Sequence, residues 1–149
     1  MVGFAGVLLL FAALVCSDSA TAAESANNAA QATPNQRHKL VVQVTDDDQA
    51  KWNLALNNVK NVQSELGAAN VEIEIVAYGP GISMIRLESP VSERVREAIT
   101  SGVKIIACKT TMAAQKITED DMLPALGYVP AGAVEIMMRQ LQGYAYIRP

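Results

Sequence analysis

The residues best placed to do chemistry stand together as Cys108-Lys109-Thr110-Thr111. A cysteine attacks as its thiolate, and backbone N–H groups at a helix start or a nearby cation lower its pKa. Here an apolar run from Val103 to Ala107, the length of a buried strand, ends on the cysteine. Lys109 supplies a cation, and the two threonines lead into a stretch that can be helical. In an open α/β sheet, ligands sit outside the carboxyl ends of strands, next to helix N-termini. The arrangement predicts a nucleophilic thiol at Cys108, with Lys109, Thr110 and Thr111 as the groups around a substrate. The competing reading is a packed, inert thiol that closes a buried strand.

Other chemistries have less to stand on. His38 is the only histidine and falls at the entry of a strand, the wrong end of a sheet for a ligand. That placement argues against a Ser-His-Asp triad. With Cys16 lost in an N-terminal signal, the one histidine and the one remaining cysteine cannot make a transition-metal site of ordinary ligand count within one chain, so no metal and no cofactor is predicted. Asp46, Asp47 and Asp48 could do acid–base work or hold a cation, although helix capping accounts for them more simply. Gly79-Pro80-Gly81 lacks the spacing and lysine of a phosphate loop, and no G-x-G-x-x-G follows a strand. Without C-x-x-C, dithiol exchange within one chain is unsupported. Met137-Met138 reads as core.

These groups need a frame to hold them, and the chain divides into three parts. Val2 to Val15 is an almost unbroken apolar run in a chain of 149 residues. It is short for a membrane span and fits the h-region of a signal peptide, with small residues at Ala20-Thr21-Ala22 before a cleavage point near Ala22 or Ala23. A retained anchor and a lipid on Cys16 are the alternatives. Residues 1–22 are thus read as a signal peptide, 23–37 as a disordered tether of Ala, Asn, Gln, Ser and Thr, and 38–149 as one folded domain. Loss of Cys16 with the signal would leave Cys108 unpartnered, which excludes a disulfide-stapled fold. Cleavage removes one acid, Asp18, and no base, so the domain is one charge less acidic than the net −3 of the whole chain. Such a surface offers nothing to nucleic acid or an anionic membrane. No second run is long enough to span a bilayer.

Within the domain, periodicity predicts alternating strands and helices. Leu40–Val44 is a first strand. A helix follows from about Gln49 to Leu66, with Trp52, Ala55, Leu56, Val59, Val62 and Leu66 on its apolar face and Gly67 as its stop. Its opposite face carries Asn53, Asn57 and Asn61, either a plain polar surface or a subunit contact. Val71–Ala77 is a second strand whose Glu72 and Glu74 place its start half in solvent. A short helix over Ile82–Leu87 comes next. Ser89-Pro90 opens a helix with Val91, Val95, Ala98 and Ile99 inward. Ile105–Ala107 is the third strand, Thr111–Lys116 a modest helix, and Thr118–Asp121 a capping box. Leu126–Val129 is a fourth strand. Pro130 opens a last helix with Val134, Met137, Met138 and Leu141 on one face, and Ala145–Ile147 is a final strand. Right-handed crossovers then give a three-layer α/β/α domain with a mainly parallel sheet of about five strands.

Several separated motifs resemble exported members of the DsrE/DsrF-like family. They are Val103 to Cys108 followed by Thr111-Met112, Asp120 to Pro124, Gly127 to Gly132, and Gly143 to Ile147, with Trp52-Asn53 and Asn57-Asn58 in the first helix. The resemblance implies the same three-layer fold, a periplasmic or secreted location, and homo-oligomers, often trimers or hexamers. It also implies sulfur carriage as a persulfide on a cysteine after a mid-chain strand, a position Cys108 matches. The Arg-Gly that follows the cysteine helix in sulfur-relay relatives is absent, and Thr110 stands where exported relatives often have Asn. Two functions follow as expectations. One is a sulfur carrier or sulfurtransferase with an outside donor and acceptor. The other is a non-enzymatic oligomeric binding protein with a structural cysteine.

Overall fold

The structure, a computed structural model, describes residues 37–149. The predicted signal peptide and all but the last residue of the predicted tether lie outside the described residues. The elements in chain order are β1 (His38–Val44), α1 (Gln49–Leu66), β2 (Val71–Ala77), α2 (Ser92–Thr100), β3 (Lys104–Cys108), α3 (Lys109–Gln115), β4 (Gly127–Val129), α4 (Gly132–Leu141) and β5 (Ala145–Ile147). Single 3-10 turns cover Ala68–Asn70, Gly79–Ile85 and Glu119–Asp121. The strands form one sheet in the order β4-β3-β2-β1-β5, every pair parallel. The three-layer α/β/α fold with five strands is therefore present.

Side chains alternate across a strand, and this sheet uses both faces. Leu40, Val42, Ile73, Ile75, Ile105 and Ala107 point to one face, where they meet Trp52, Leu56 and Val59 of α1, Val95 of α2 and Met112 of α3. Val41, Val76 and Ile106 point to the other, where they meet Ile136 of α4 and Tyr144. The central strands are buried on both sides, so their sequences run nearly continuously apolar, as parallel strands do. Each large side chain fully removed from water contributes about 1.5–3 kcal/mol, and Ile73, Ile75 and Ile105 are all but inaccessible.

Local signals explain the boundaries. Asp48 accepts from the N–H of Ala50 at 2.8 Å and Lys51 at 3.3 Å, capping α1. Gly67, at φ +82°, stops it. Thr118 and Asp121 form the predicted capping box, here on a 3-10 turn. Two starts differ from the expectation. α2 begins at Ser92 rather than at Pro90, because Ser89 closes a turn by accepting the Ser92 N–H on its carbonyl. α4 begins at Gly132 rather than at Pro130, whose carbonyl takes the N–H of Thr110 instead. The Ile82–Leu87 helix is a 3-10 turn starting earlier, at Gly79.

The expectations for α4 and for Glu74 are overturned. The apolar face of α4 is turned to solvent: Val134, Met137, Met138 and Leu141 are 43–76% exposed, so Met137-Met138 is not core. The inward side instead holds Ile136 with Glu135 and Arg139. The reason lies under the helix. Glu74 of β2, read as half-exposed, is fully buried and pairs with Arg139 at 2.9 Å, so α4 must turn its charges inward. The asparagine face of α1 is also partly occupied within the chain. Arg94 of α2 donates to Asn53 and, at 2.6 Å, to Asn57.

Candidate functional site

Cys108 is the last residue of β3 and the N-cap of α3. The chain leaves β3 into α3 on the α1/α2 side of the sheet, whereas it leaves the neighbouring strand β4 into α4 on the opposite side. The carboxyl ends of β3 and β4 are thus the topological switch point, where open α/β sheets form a crevice for ligands. Cys108 pairs in register with Val129 there, so the thiol stands at the mouth of that crevice. It points to the α4 side, the same side as Ile106 and Val129. Its relative exposure is 4%.

Donors from two helices converge on the sulfur. Burial alone pushes the thiol up. Hydrogen bonds from the Thr111 hydroxyl and the N–H groups of Thr111, Gly132 and Thr110 outweigh it, and the net shift is below the ordinary cysteine value. As a thiol, Cys108 can also donate to the Pro130 carbonyl at 3.9 Å. The first turns of α3 and α4 therefore both present N–H groups to a sulfur anion.

The loop after β2 holds this arrangement in place. Gly79 N–H donates to Thr111 Oγ1 at 2.9 Å, and Gln115 Nε2 donates to the Gly79 carbonyl at 3.1 Å. Gly79 adopts φ +55°, a conformation open to glycine at little cost. Gly132 matters for another reason. A Cβ there would lie 2.9 Å from Tyr78 Cδ1 and 3.1 Å from Tyr78 Cβ, so only glycine lets Tyr78 pack against the start of α4. That close approach brings the Gly132 N–H to Cys108.

The four predicted site residues are placed differently. Thr111 bonds Cys108 and is itself anchored. Thr110 offers its N–H to the sulfur but commits its hydroxyl to the Pro130 carbonyl at 2.7 Å. Lys109 extends away toward Glu119, 3.4 Å from its carboxylate, and lies 5.5 Å over the Tyr128 ring. The charge expected to stabilise the thiolate is thus committed elsewhere, and neutral donors take its place. The aspartates are not drawn to the thiol either. Asp48 caps α1, and Asp46 pairs with Lys51 at 3.1 Å and Arg148 at 3.3 Å. Tyr78, Gly79, Pro130 and Gly132 were not among the predicted site residues. Their signal was positional: a glycine turn after β2 and a Pro-x-Gly after β4, both at carboxyl strand ends. Among the described residues no cluster of three or more His, Cys, Asp or Glu could hold a metal, and no helix is long and apolar enough to cross a membrane.

A parallel α/β sheet with a single hydrogen-bonded thiol at its switch point defines the class. Within it, the chain belongs to the DsrE/DsrF-like family, whose model matches residues 11–149. A solved structure described as a protein of unknown function, MTH1491 from Methanobacterium thermoautotrophicum, is 36% identical, with a TM-score of 0.72 over 75% of this chain and 99% of that one. BT1422 from Bacteroides thetaiotaomicron (15% identity, TM-score 0.60, 74% of this chain and 94% of that one) shares the fold. So does the ychN protein from E. coli (12% identity, TM-score 0.61, 76% of this chain and 99% of that one). No curated protein matches the chain.

Proposed function

We propose that this protein is a sulfur carrier that holds sulfane sulfur as a persulfide on Cys108. The observation that carries the reading is the place of Cys108, at the end of β3 beside β4 and at the first turns of α3 and α4, where the Thr111 hydroxyl and the neighbouring backbone N–H groups lower the thiol pKa. Hydrogen bonds to the charged form favour it, so the thiolate is available to attack. It attacks the terminal sulfur of a hydrogen polysulfide. A new S–S bond forms on Cys108, the donor's S–S bond breaks, and the electron pair leaves on a polysulfide one sulfur shorter. Cys108 is the only cysteine among the described residues, so no neighbour there can resolve the persulfide. It persists until an outside acceptor takes the sulfur. Family membership is consistent with this role.

Intact mass after incubation with polysulfide tests it. The wild type should gain the mass of one or more sulfur atoms, removable with reductant, and Cys108→Ala should gain none at that position. A wild type that gains nothing leaves Cys108 as a packed thiol and favours the binding-protein alternative.

We further propose that the carrier works outside the cytoplasm after loss of residues 1–22, on the strength of the apolar run at Val2–Val15 and the small residues after it. N-terminal sequencing of the exported form should begin near Ala23 or Glu24. A sequence starting at Met1 or Val2 would refute it.

A further inference from the structure

α1 and α2 cover the sheet face opposite the Cys108 side chain, and a cavity of about 160 Å³ opens between them. Its floor is apolar, made by Leu56 and Val59 of α1 and Ala98 of α2. Hydrogen bonds between the two helices fix its width at both ends. At one end Gln63 Nε2 donates to the Ser101 carbonyl at 2.9 Å. At the other, Arg94 donates to the side-chain oxygens of Asn53 and, at 2.6 Å, of Asn57. The cavity is thus formed before anything enters it, as small-molecule sites mostly are. Lys60, Arg94 and Glu97 supply the charge around it. Among the described residues Lys60 and Arg94 have no carboxylate partner, whereas most of the other cations have one. The asparagines hold the guanidinium with neutral oxygens, so its charge is oriented and not cancelled. They use two of its five N–H donors, and three remain.

We propose that the cleft between α1 and α2 is a binding site for a small monocarboxylate with an apolar chain. The carboxylate takes the remaining donors of Arg94, the geometry a guanidinium offers to two oxygens, with Lys60 reaching it from α1. The chain lies on Leu56, Val59 and Ala98. Size sets its length. A cavity of about 150 Å³ accepts a six-carbon molecule, so an acid of about four to six carbons fills this one. Charge sets the rest. Lys60 and Arg94 against Glu97 leave one net positive charge, which one carboxylate neutralises. The second charge of a dicarboxylate would meet Glu97, and an amine would meet two cations. A bare anion would leave the apolar floor uncovered. The site also gives the asparagine row of α1 a purpose, since Asn53 and Asn57 aim the cation that binds. Cys108 takes no part, so the proposal is independent of the sulfur reading, and Cys108→Ser should bind as the wild type does.

Titration of the isotope-labelled full chain with sodium pentanoate at constant ionic strength, followed by amide chemical shifts, is the test. The shifts should saturate and concentrate in α1 and α2. Pentanamide has the same size and chain without the charge, and it should bind about tenfold more weakly or worse. Acetate keeps the charge without the chain and should also lose about tenfold or more. Arg94→Gln should weaken pentanoate about tenfold. Lys60→Gln, at an exposed position that the fold does not depend on, should weaken it about threefold. Lys116→Gln removes an exposed lysine at the end of α3 and should bind as the wild type does. Shifts that never saturate overturn the proposal, and so does equal binding of pentanamide or acetate, or full binding by folded Arg94→Gln. Lys116→Gln weakening pentanoate as much as Lys60→Gln would reduce the effect to general surface charge, and that overturns it too.

Discussion

Replacing Arg139 with methionine should destabilise the fold by about 3 kcal/mol at neutral pH, the usual cost of leaving a buried charge without its partner. The penalty should shrink in acid. Glu74 lies in the central strand β2 with no exposed surface, and beyond the Arg139 ion pair its oxygens have no hydrogen-bond partner. Glu135 approaches the same guanidinium at 2.8 Å, so two carboxylates share one cation. Tyr144 packs below, its ring 5.5 Å from both Arg139 and Lys39 of β1, and Lys104 of β3 is taken by Glu72. Burial raises the Glu74 pKa more than Arg139 lowers it, and the net shift is upward. A carboxyl with a raised folded-state pKa contributes stability that is present below its unfolded value and lost as pH climbs through the folded one. Removing the guanidinium takes away the force that lowers that pKa. The window of loss then extends upward, and the deficit is greatest at neutral pH. Urea unfolding across pH, at fixed protein concentration, measures it. Glu74→Leu combined with Arg139→Met should recover most of the loss, because no charge is left stranded. A penalty that does not change with pH would mean that the guanidinium acts by packing on Tyr144 instead.

The same cluster explains why α4 was the element least legible in the sequence. Periodicity reports which residues of a helix share a face, and it reported Val134, Met137, Met138 and Leu141 correctly. It cannot report that the facing strand carries a buried carboxylate, since Glu74 is 65 residues from Arg139 in the sequence. The elements whose signals are local were legible: the β-branched runs of β1 and β2, the Asp48 cap, the Gly67 stop and the Thr118–Asp121 capping box. Helix starts at prolines were two residues early because Pro90 sits in a turn closed by the Ser89 carbonyl on the Ser92 N–H, and the Pro130 carbonyl accepts from the distant Thr110. At the candidate site, position was legible and environment was not. An apolar strand ending in cysteine placed Cys108 at a carboxyl edge. The convergence of α3 and α4 on its sulfur depends on strand order, and no single segment encodes that.

The second large effect is expected at Thr111. Its hydroxyl accepts the Gly79 N–H at 2.9 Å, which leaves its own proton free to point at Cys108, and that bond lowers the thiol pKa. A hydrogen bond to a charged group is worth about 1.5–3 kcal/mol, and the lower figure corresponds to about a tenfold change in an equilibrium constant. Thr111→Val keeps the shape and removes the donor. The alkylation rate of Cys108 at neutral pH should fall about tenfold, while the rate at high pH, where every thiol is ionised, should stay the same. That pair of readings separates a change in thiolate population from a change in access. Thr111→Ser should retain the wild-type profile. Lys109→Ala supplies the contrast. Adjacency in sequence assigns that lysine the stabilising charge, but its ammonium is paired with Glu119, so its loss should leave the pH profile of alkylation nearly unmoved. If Lys109→Ala slows the reaction and Thr111→Val does not, the thiolate is held by a through-space cation and the neutral donors around Cys108 are only packing.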